Sequence, residues 1–199
     1  VWVDMQALGV DILCSAPQKG WSGPPCAGLV MLSEQAVERM GQTQSTSFSC
    51  DLAKWHSIMG AYLNGGHAYH ATMPTDALRA FRDVVMETKA FGYSEAKMAQ
   101  QVLGSRARSL LTQRGFKSVA ADGFGAPGVT VSYTSDPTIK NGSAFAAQGM
   151  QIAAGVPLQV DEPEGFSTFR LGLFGLDKLK NVDRTVETLE TAIDAITAI

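Results

Sequence analysis

One lysine in a loop rich in glycine and proline constrains this sequence more than any other feature. Lys19 lies between two short apolar runs, residues 10–14 and 28–33, which predict two strands, the first of them buried. Burial without a carboxylate nearby disfavours the ammonium form, and a neutral amine is the nucleophile that condenses with an aldehyde. The alternative is a lysine whose stem packs while its head reaches water.

The residues around this lysine resemble a known family segment. Residues 11–29 read Asp-Ile-Leu-Cys-Ser-Ala-Pro-Gln-Lys-Gly-Trp-Ser-Gly-Pro-Pro-Cys-Ala-Gly-Leu. This resembles the cofactor-lysine segment of class V aminotransferases, which are fold-type I enzymes that use pyridoxal 5′-phosphate. The most similar branch comprises the alanine–glyoxylate and serine–glyoxylate (serine–pyruvate) aminotransferases. The resemblance implies that Lys19 forms the Schiff base with the cofactor and that Gln18 contacts its phosphate, whereas Trp21 is expected to pack in the loop.

A second candidate group lies just before a predicted helix. Tyr69 and Thr72 are three residues apart and precede Pro74, and hydroxyl groups near a helix N-terminus suit a phosphate. Alternatively, the tyrosine packs on the helix and the threonine caps it. The stretch resembles the family's Tyr-His-x-Thr-x-Pro segment, which implies that Tyr69 and Thr72 reach the cofactor phosphate of a partner subunit in a homodimer. His70 is either a supporting donor or a surface histidine.

The third candidate is an arginine on a predicted strand over residues 168–174. Alternation places Arg170, Gly172 and Phe174 on one face, so that Arg170 lies beside a residue without a side chain, which leaves space for a ligand. Arginine binds a carboxylate through two parallel hydrogen bonds. The segment resembles the family's Arg-Ile-Gly strand, which implies that Arg170 holds the substrate carboxylate. The alternative is a structural arginine that bridges two domains.

Periodicity and turn residues predict an α/β chain. Residues 1–92 are expected to be the C-terminal part of a large cofactor-binding domain, and residues 93–199 a small α+β domain with an antiparallel sheet. Further helices are predicted after Ser33, after Asp51, from Thr75 to Gly92, from Ser94 to Gly115, over 143–154 and from Leu179 to Ile196. Further strands are predicted over 119–121, 129–133 and 156–160. The helix after Ser94 is expected to bury Ala99, Val102, Leu103, Ala107, Leu110 and Leu111.

Composition excludes several classes of protein. The 199 residues carry a net charge of −3, with 45% hydrophobic and 18% charged residues, which is not typical of a nucleic-acid-binding or disordered chain. No apolar run is long enough to span a bilayer. The three cysteines have no framework spacing, which favours a cytoplasmic protein, and His56 and His67 show no metal-ligand spacing.

The expected function is transamination between alanine or serine and glyoxylate or pyruvate. The chain resembles only the C-terminal portion of the family, because the residues that pair with the pyridine nitrogen and stack on the ring have no counterpart. One alternative is therefore a non-catalytic fragment that folds or dimerises. Another is a fold-type I lyase such as a cysteine desulfurase, which fits poorly because Pro17-Gln18 replaces that family's pattern and no cysteine follows Cys50.

Overall fold

The computed structural model describes residues 3–197, and the chain divides into two compact units. One unit comprises residues 3–18 together with Gly23–Asp83, and we call it the N-terminal unit. The other comprises Lys19–Ser22 and residues 84–197, and we call it the C-terminal unit. Within residues 3–197, no helix combines the length and apolarity that crossing a membrane requires. The domain boundary at Gly92 stays a prediction.

The N-terminal unit contains a two-stranded ribbon and short helices. Its elements are α1 (Met5–Leu8), β1 (Ile12–Ser15), β2 (Leu29–Leu32), α2 (Glu34–Gly41), α3 (Leu52–Leu63) and the first part of α4 (Thr75–Phe91). The ribbon is antiparallel, with Ile12 opposite Leu32 and Ser15 opposite Leu29. Ser33 and Asp51 cap α2 and α3 by accepting hydrogen bonds from the N–H groups of Ala36 and Lys54. The predicted strands and both predicted caps are therefore confirmed.

The predicted burial of the first strand is wrong for this chain. Leu13 is half-buried, whereas the other residues of β1 are exposed, and Ile12 is 54% exposed. The physical reason is that β1 and β2 pair only with each other among the described residues. A two-stranded ribbon has two free edges and cannot bury its own apolar side chains.

The C-terminal unit is a layer of helices on a small antiparallel sheet. Its elements are α5 (Tyr93–Gln113), β3 (Val129–Tyr133), α6 (Pro137–Lys140), α7 (Ser143–Ala147), β4 (Ala153–Ala154), β5 (Thr168–Gly172), α8 (Leu176–Leu179) and α9 (Val182–Thr197). The strand order is β3-β5-β4, and both pairings are antiparallel. The α/β class and the antiparallel sheet of the C-terminal region are confirmed.

The core of this unit lies between the sheet and the two long helices α5 and α9. Its buried members include Leu103, Leu110, Leu111, Phe145, Phe169, Leu171, Val186, Leu189 and Ile193. Phe169 is at the centre, because its ring lies 5.7 Å from that of Phe145 and 5.2 Å from that of Phe116. The apolar stripe predicted for the last helix is confirmed, since α9 buries Val186, Leu189 and Ile193.

A polar contact fixes α5 against the loop that precedes β3. The buried Gln100 side chain donates from Nε2 to the carbonyls of Pro127 (2.9 Å) and Leu173 (3.2 Å). One turn later, Gly104 approaches Pro127 so closely that an added Cβ would lie 2.5 Å from its carbonyl oxygen. Gln100 and Gly104 take inward positions, and Val102 is 49% exposed, so the predicted inward position of Val102 is wrong. The face of α5 that packs against these carbonyls therefore carries Gln100 and Gly104, and the spacing of apolar residues does not predict this face.

Three other predicted elements are also corrected. The helix over 143–154 ends at Ala147, because Gly149 takes a positive φ of 74°. No strand forms over 156–160, where the Glu162 carboxylate accepts hydrogen bonds from the N–H groups of Leu158 and Gln159. Residues 119–121 form no strand, and an isolated bridge between Ser118 and Ser132 lies beside them. In these segments, local hydrogen bonds and glycine conformations determined the backbone structure, and the apolar pattern did not.

We predict that Gly104→Ala destabilises the chain although alanine is the better helix former. The new methyl group would overlap the Pro127 backbone, and overpacking of this kind typically costs about 1–3 kcal/mol. The matched control is Gly60→Ala in α3, where an added Cβ has no atom within 4 Å and stability rises by up to about 1 kcal/mol. Urea unfolding measures both variants, and a stabilising Gly104→Ala would refute the close approach.

We also predict that acid weakens the contact between α5 and α9. Arg114 forms a two-point ion pair with Asp194 (2.7 and 3.1 Å), and its hydrogen bond lowers the pKa of Asp194 below the ordinary value. A lowered folded pKa stabilises the fold above the unfolded pKa, and this contribution disappears as pH falls from about pH 5 through the lowered folded pKa.

Thermal unfolding across this pH range tests the contribution. Asp194→Asn should flatten the acid-induced fall in Tm, whereas Asp83→Asn, in an exposed pair with Arg82, should leave it unchanged. Part of the fall remains in Asp194→Asn, because hydrogen bonds from Thr138 also lower the pKa of Asp136. Parallel curves for Asp194→Asn and the starting protein would contradict the prediction.

Candidate active site

Lys19 opens a tight turn between the strands of the ribbon. Ser22 N–H donates to the Lys19 carbonyl (2.8 Å), and the neck of the loop closes where Gly23 N–H donates to the Pro17 carbonyl (2.9 Å). Ser22 has a φ of 55°, which is uncommon for a residue with a side chain. The loop thus presents Lys19 from a defined backbone conformation.

Two contacts hold this turn within the C-terminal unit. The Trp21 ring meets the edge of Tyr93 at the start of α5, with centroids 6.3 Å apart. A Cβ added at Gly175, just beyond β5, would lie 3.1 Å from Ser22 Oγ, so the turn reaches the end of the segment that carries Arg170. The prediction that Trp21 packs in the loop agrees with its contact to Tyr93.

The structure corrects the expected environment of Lys19. The side chain is exposed, and so is that of Gln18 beside it, whereas Pro17 is buried. The two strands that flank this loop pair only with each other within residues 3–197, so the described chain supplies no layer that covers the lysine. The amine is consequently accessible to solvent. The residues around Lys19 do not by themselves remove it from water, as the sequence had predicted they would.

Tyr69 and Thr72 come together just before α4. Tyr69 Oη lies 3.4 Å from Thr72 Oγ1, and both side chains are exposed, with Tyr69 at 72%. Helix α4 begins at Thr75, as the sequence predicted. The two hydroxyl groups form a pair that can donate to a single anion, and the positive end of a 17-residue helix follows within three residues.

His70 packs against two aromatic rings. Its ring is half-buried between Phe48 (centroids 4.2 Å apart) and Trp55 (5.1 Å), and Nε2 lies 3.0 Å from the Phe48 carbonyl. Trp55 Nε1 donates to the Ser49 carbonyl (2.8 Å) in the same cluster. His70 therefore ties the segment with Tyr69 and Thr72 to the irregular stretch before α3.

Arg170 lies on β5 as the alternation predicted. Phe169 and Leu171 are buried, whereas Arg170 is half-buried and lies opposite Val131 of β3 and Ala153 of β4. Its Nε donates to the Ala154 carbonyl (2.9 Å). This contact uses one edge of the guanidinium and leaves the two Nη groups, for which the structure shows no partner within residues 3–197.

The space beside Arg170 is shaped by Phe174, which sequence analysis placed on this face without assigning it a role. A Cβ added at Gly172 would lie 3.5 Å from Cε1 and Cζ of the Phe174 ring. The ring also approaches Gly128, where an added Cβ would lie 4.0 Å from Cδ1. Gly172 therefore leaves room for an aromatic ring, and the expected free space is partly filled. The alternation of Arg170, Gly172 and Phe174 was the sequence signal that could have revealed the position of the Phe174 ring beside Gly172.

Comparison with known proteins finds relatives whose names state a function. The chain is 28% identical over 201 residues to 2-aminoethylphosphonate–pyruvate transaminase of Vibrio vulnificus, covering 96% of this chain and 51% of the relative. The corresponding transaminase of Phocaeicola vulgatus is 27% identical over 197 residues, covering 95% and 51%. The chain spans about half the length of the curated relatives it matches. No family model matches the chain.

Solved structures agree on the fold. Alanine–glyoxylate aminotransferase from Nostoc sp. superposes with a TM-score of 0.81 at 19% identity, covering 98% of this chain and 50% of that chain. Ureidoglycine–glyoxylate aminotransferase from Bacillus subtilis gives a TM-score of 0.76 at 19% identity, covering 99% and 49%. The chain is similar in sequence to the two transaminases named above. It has the fold of a C-terminal half of a fold-type I aminotransferase.

The candidate residues fall into two groups according to the unit to which they belong. Lys19 and Arg170 belong to the C-terminal unit, and the turn of Lys19 contacts the end of the segment that carries Arg170. Gln18, Tyr69 and Thr72 belong to the N-terminal unit. All three cysteines are free thiols.

Proposed function

We propose that this chain carries part of the active site of a pyridoxal-phosphate-dependent aminotransferase that uses pyruvate or glyoxylate as amino acceptor. The observation that carries the proposal is the contact between the Lys19 turn and Gly175, five residues beyond Arg170. The proposal is supported by the accessible amine of Lys19 and by the guanidinium of Arg170, which belong to the same unit. The Arg170 Nη groups have no partner within residues 3–197. The names of the relatives support the reaction class and both acceptors.

The residues present fit the cofactor by their chemistry. Lys19 offers an exposed amine that can hold an aldehyde covalently. The hydroxyl pair of Tyr69 and Thr72, 3.4 Å apart, offers donors for a phosphate, and the Gln18 amide offers another. We propose that Tyr69 and Thr72 serve the site of a second subunit in a homodimer. When bound, pyridoxal phosphate withdraws electrons from the substrate's α-carbon, which makes its proton acidic.

Two residues of the chain act on the substrate in this proposal. Arg170 binds its carboxylate through the two Nη groups, while the Ala154 carbonyl fixes the plane of the guanidinium. Lys19 Nζ, once free, would take the proton from the substrate's α-carbon as a general base and pass it to the C4′ carbon of the cofactor. Both roles require that the substrate is held in one orientation.

The amino donor has two candidates. Alanine or serine follows from the resemblance of residues 11–29, and 2-aminoethylphosphonate follows from the names of the curated relatives. A guanidinium binds a phosphonate as well as a carboxylate, so Arg170 suits either donor. Product formation from each donor, with pyruvate and with glyoxylate as acceptor, separates these candidates.

We predict that Lys19→Ala abolishes covalent retention of pyridoxal phosphate. The cofactor is added to the natural polypeptide that contains these residues, borohydride fixes the adduct, and mass spectrometry locates it. The Lys19 peptide should carry the cofactor, and the control Lys117→Ala, which removes another exposed lysine, should label like the starting protein. Labelling spread over several lysines, or unchanged in Lys19→Ala, would leave a non-catalytic folding or dimerising unit as the function.

We predict that Arg170→Lys weakens substrate binding by on the order of 1.5–3 kcal/mol, because one ammonium cannot replace a two-point guanidinium contact. Steady-state kinetics should show the loss in kcat/KM for donor and acceptor alike. Arg79→Lys, an exposed arginine of α4, is the matched control and should change neither. Unaltered kinetics in Arg170→Lys would remove Arg170 from the site.

A further inference from the structure

Phe174 follows β5 by two residues, and its ring packs beside Gly172, the last residue of the strand. Its ring lies over Gly172, which separates it along the strand from Arg170. The next residue, Gly175, adjoins Ser22 of the Lys19 turn. Along the chain, Phe174 therefore lies between Arg170 and the glycine that the lysine turn approaches.

The neighbouring positions on this face are apolar. Val131 lies opposite Arg170 on β3, and Val129 lies opposite Gly172. Both valines are half-buried, and side chains at opposed positions lie close together. Val129, Val131 and the Phe174 ring therefore present apolar groups near Arg170, and none of these groups can pair with a second charge.

We infer that Phe174 is a specificity-determining residue that limits the acceptor to short 2-oxo acids with an uncharged side chain. The inference rests on the proposed function and deepens it, since it assigns the substrate class to a particular wall of the site. The ring fills the space that a longer chain would need over Gly172. The apolar lining disfavours a second carboxylate, because burying an unpaired charge is costly.

Acceptor competition in the natural polypeptide tests the inference. The kcat/KM ratio of 2-oxohexanoate to pyruvate should rise about tenfold or more in Phe174→Ala, the scale at which a hydrophobic pocket discriminates by size. Gly172→Ala adds a methyl group beside the ring and should lower pyruvate relative to glyoxylate. The matched control is Phe124→Ala, which removes an 83% exposed phenylalanine and should leave all ratios unchanged.

A second readout does not depend on turnover. In thermal unfolding, 2-oxohexanoate should raise the Tm of Phe174→Ala while leaving that of the starting protein unchanged. Should Phe174→Ala fold poorly, Phe174→Leu keeps an apolar side chain and should change the ratio in the same direction.

The outcomes separate failure of this inference from failure of the proposed function. Equal losses for pyruvate and 2-oxohexanoate in Phe174→Ala and Phe174→Leu would mean a merely structural role and overturn the inference. The transaminase proposal would survive that result. Absence of transamination with every acceptor in the starting protein would instead overturn the proposed function, and this inference with it.

Discussion

Strand β5 connects the core of the C-terminal unit to its candidate site, because its two faces meet different surroundings. Phe169 and Leu171 point into the layer between the sheet and helices α5 and α9, where both are almost fully buried. Arg170 and Gly172 lie on the opposite face. The burial that stabilises the unit therefore also fixes the register of the arginine, since a shift by one residue would exchange the two faces.

The same strand is held at both edges by contacts that act on the candidate site. On one side, β4 pairs with β5 at Arg170, and the Ala154 carbonyl accepts the hydrogen bond from Nε. On the other side, β3 brings Val131 opposite Arg170. Beyond the strand, the Leu173 carbonyl accepts a hydrogen bond from buried Gln100 of α5. Gln100, a polar residue inside the helical layer, thereby fixes the backbone next to Phe174 and with it the position of the Phe174 ring.

Much of the local structure could be predicted from sequence because its causes are local. Ser33 and Asp51 cap their helices through hydrogen bonds to residues three positions away, and alternation along β5 separates Arg170 from Phe169. The segment around Lys19 identified the fold, since its Gln-Lys and Gly-Pro-Pro residues are a distinctive combination. By contrast, the strand expected over 156–160 depended on pattern alone. There the Glu162 carboxylate accepts hydrogen bonds from the N–H groups of Leu158 and Gln159. These N–H groups are therefore not available for pairing with a neighbouring strand.

The sequence by itself determined the α/β class, the order of the main elements and the residue types available for chemistry, because periodicity and capping act over a few residues. Only the tertiary structure decided that Lys19 is exposed, that the Phe174 ring covers Gly172 and that Gln100 faces two carbonyls. Each of these depends on groups brought together from distant parts of the chain, or on the absence of a covering layer within residues 3–197. Burial is a property of what packs against a residue, and an apolar run such as β1 does not carry that information.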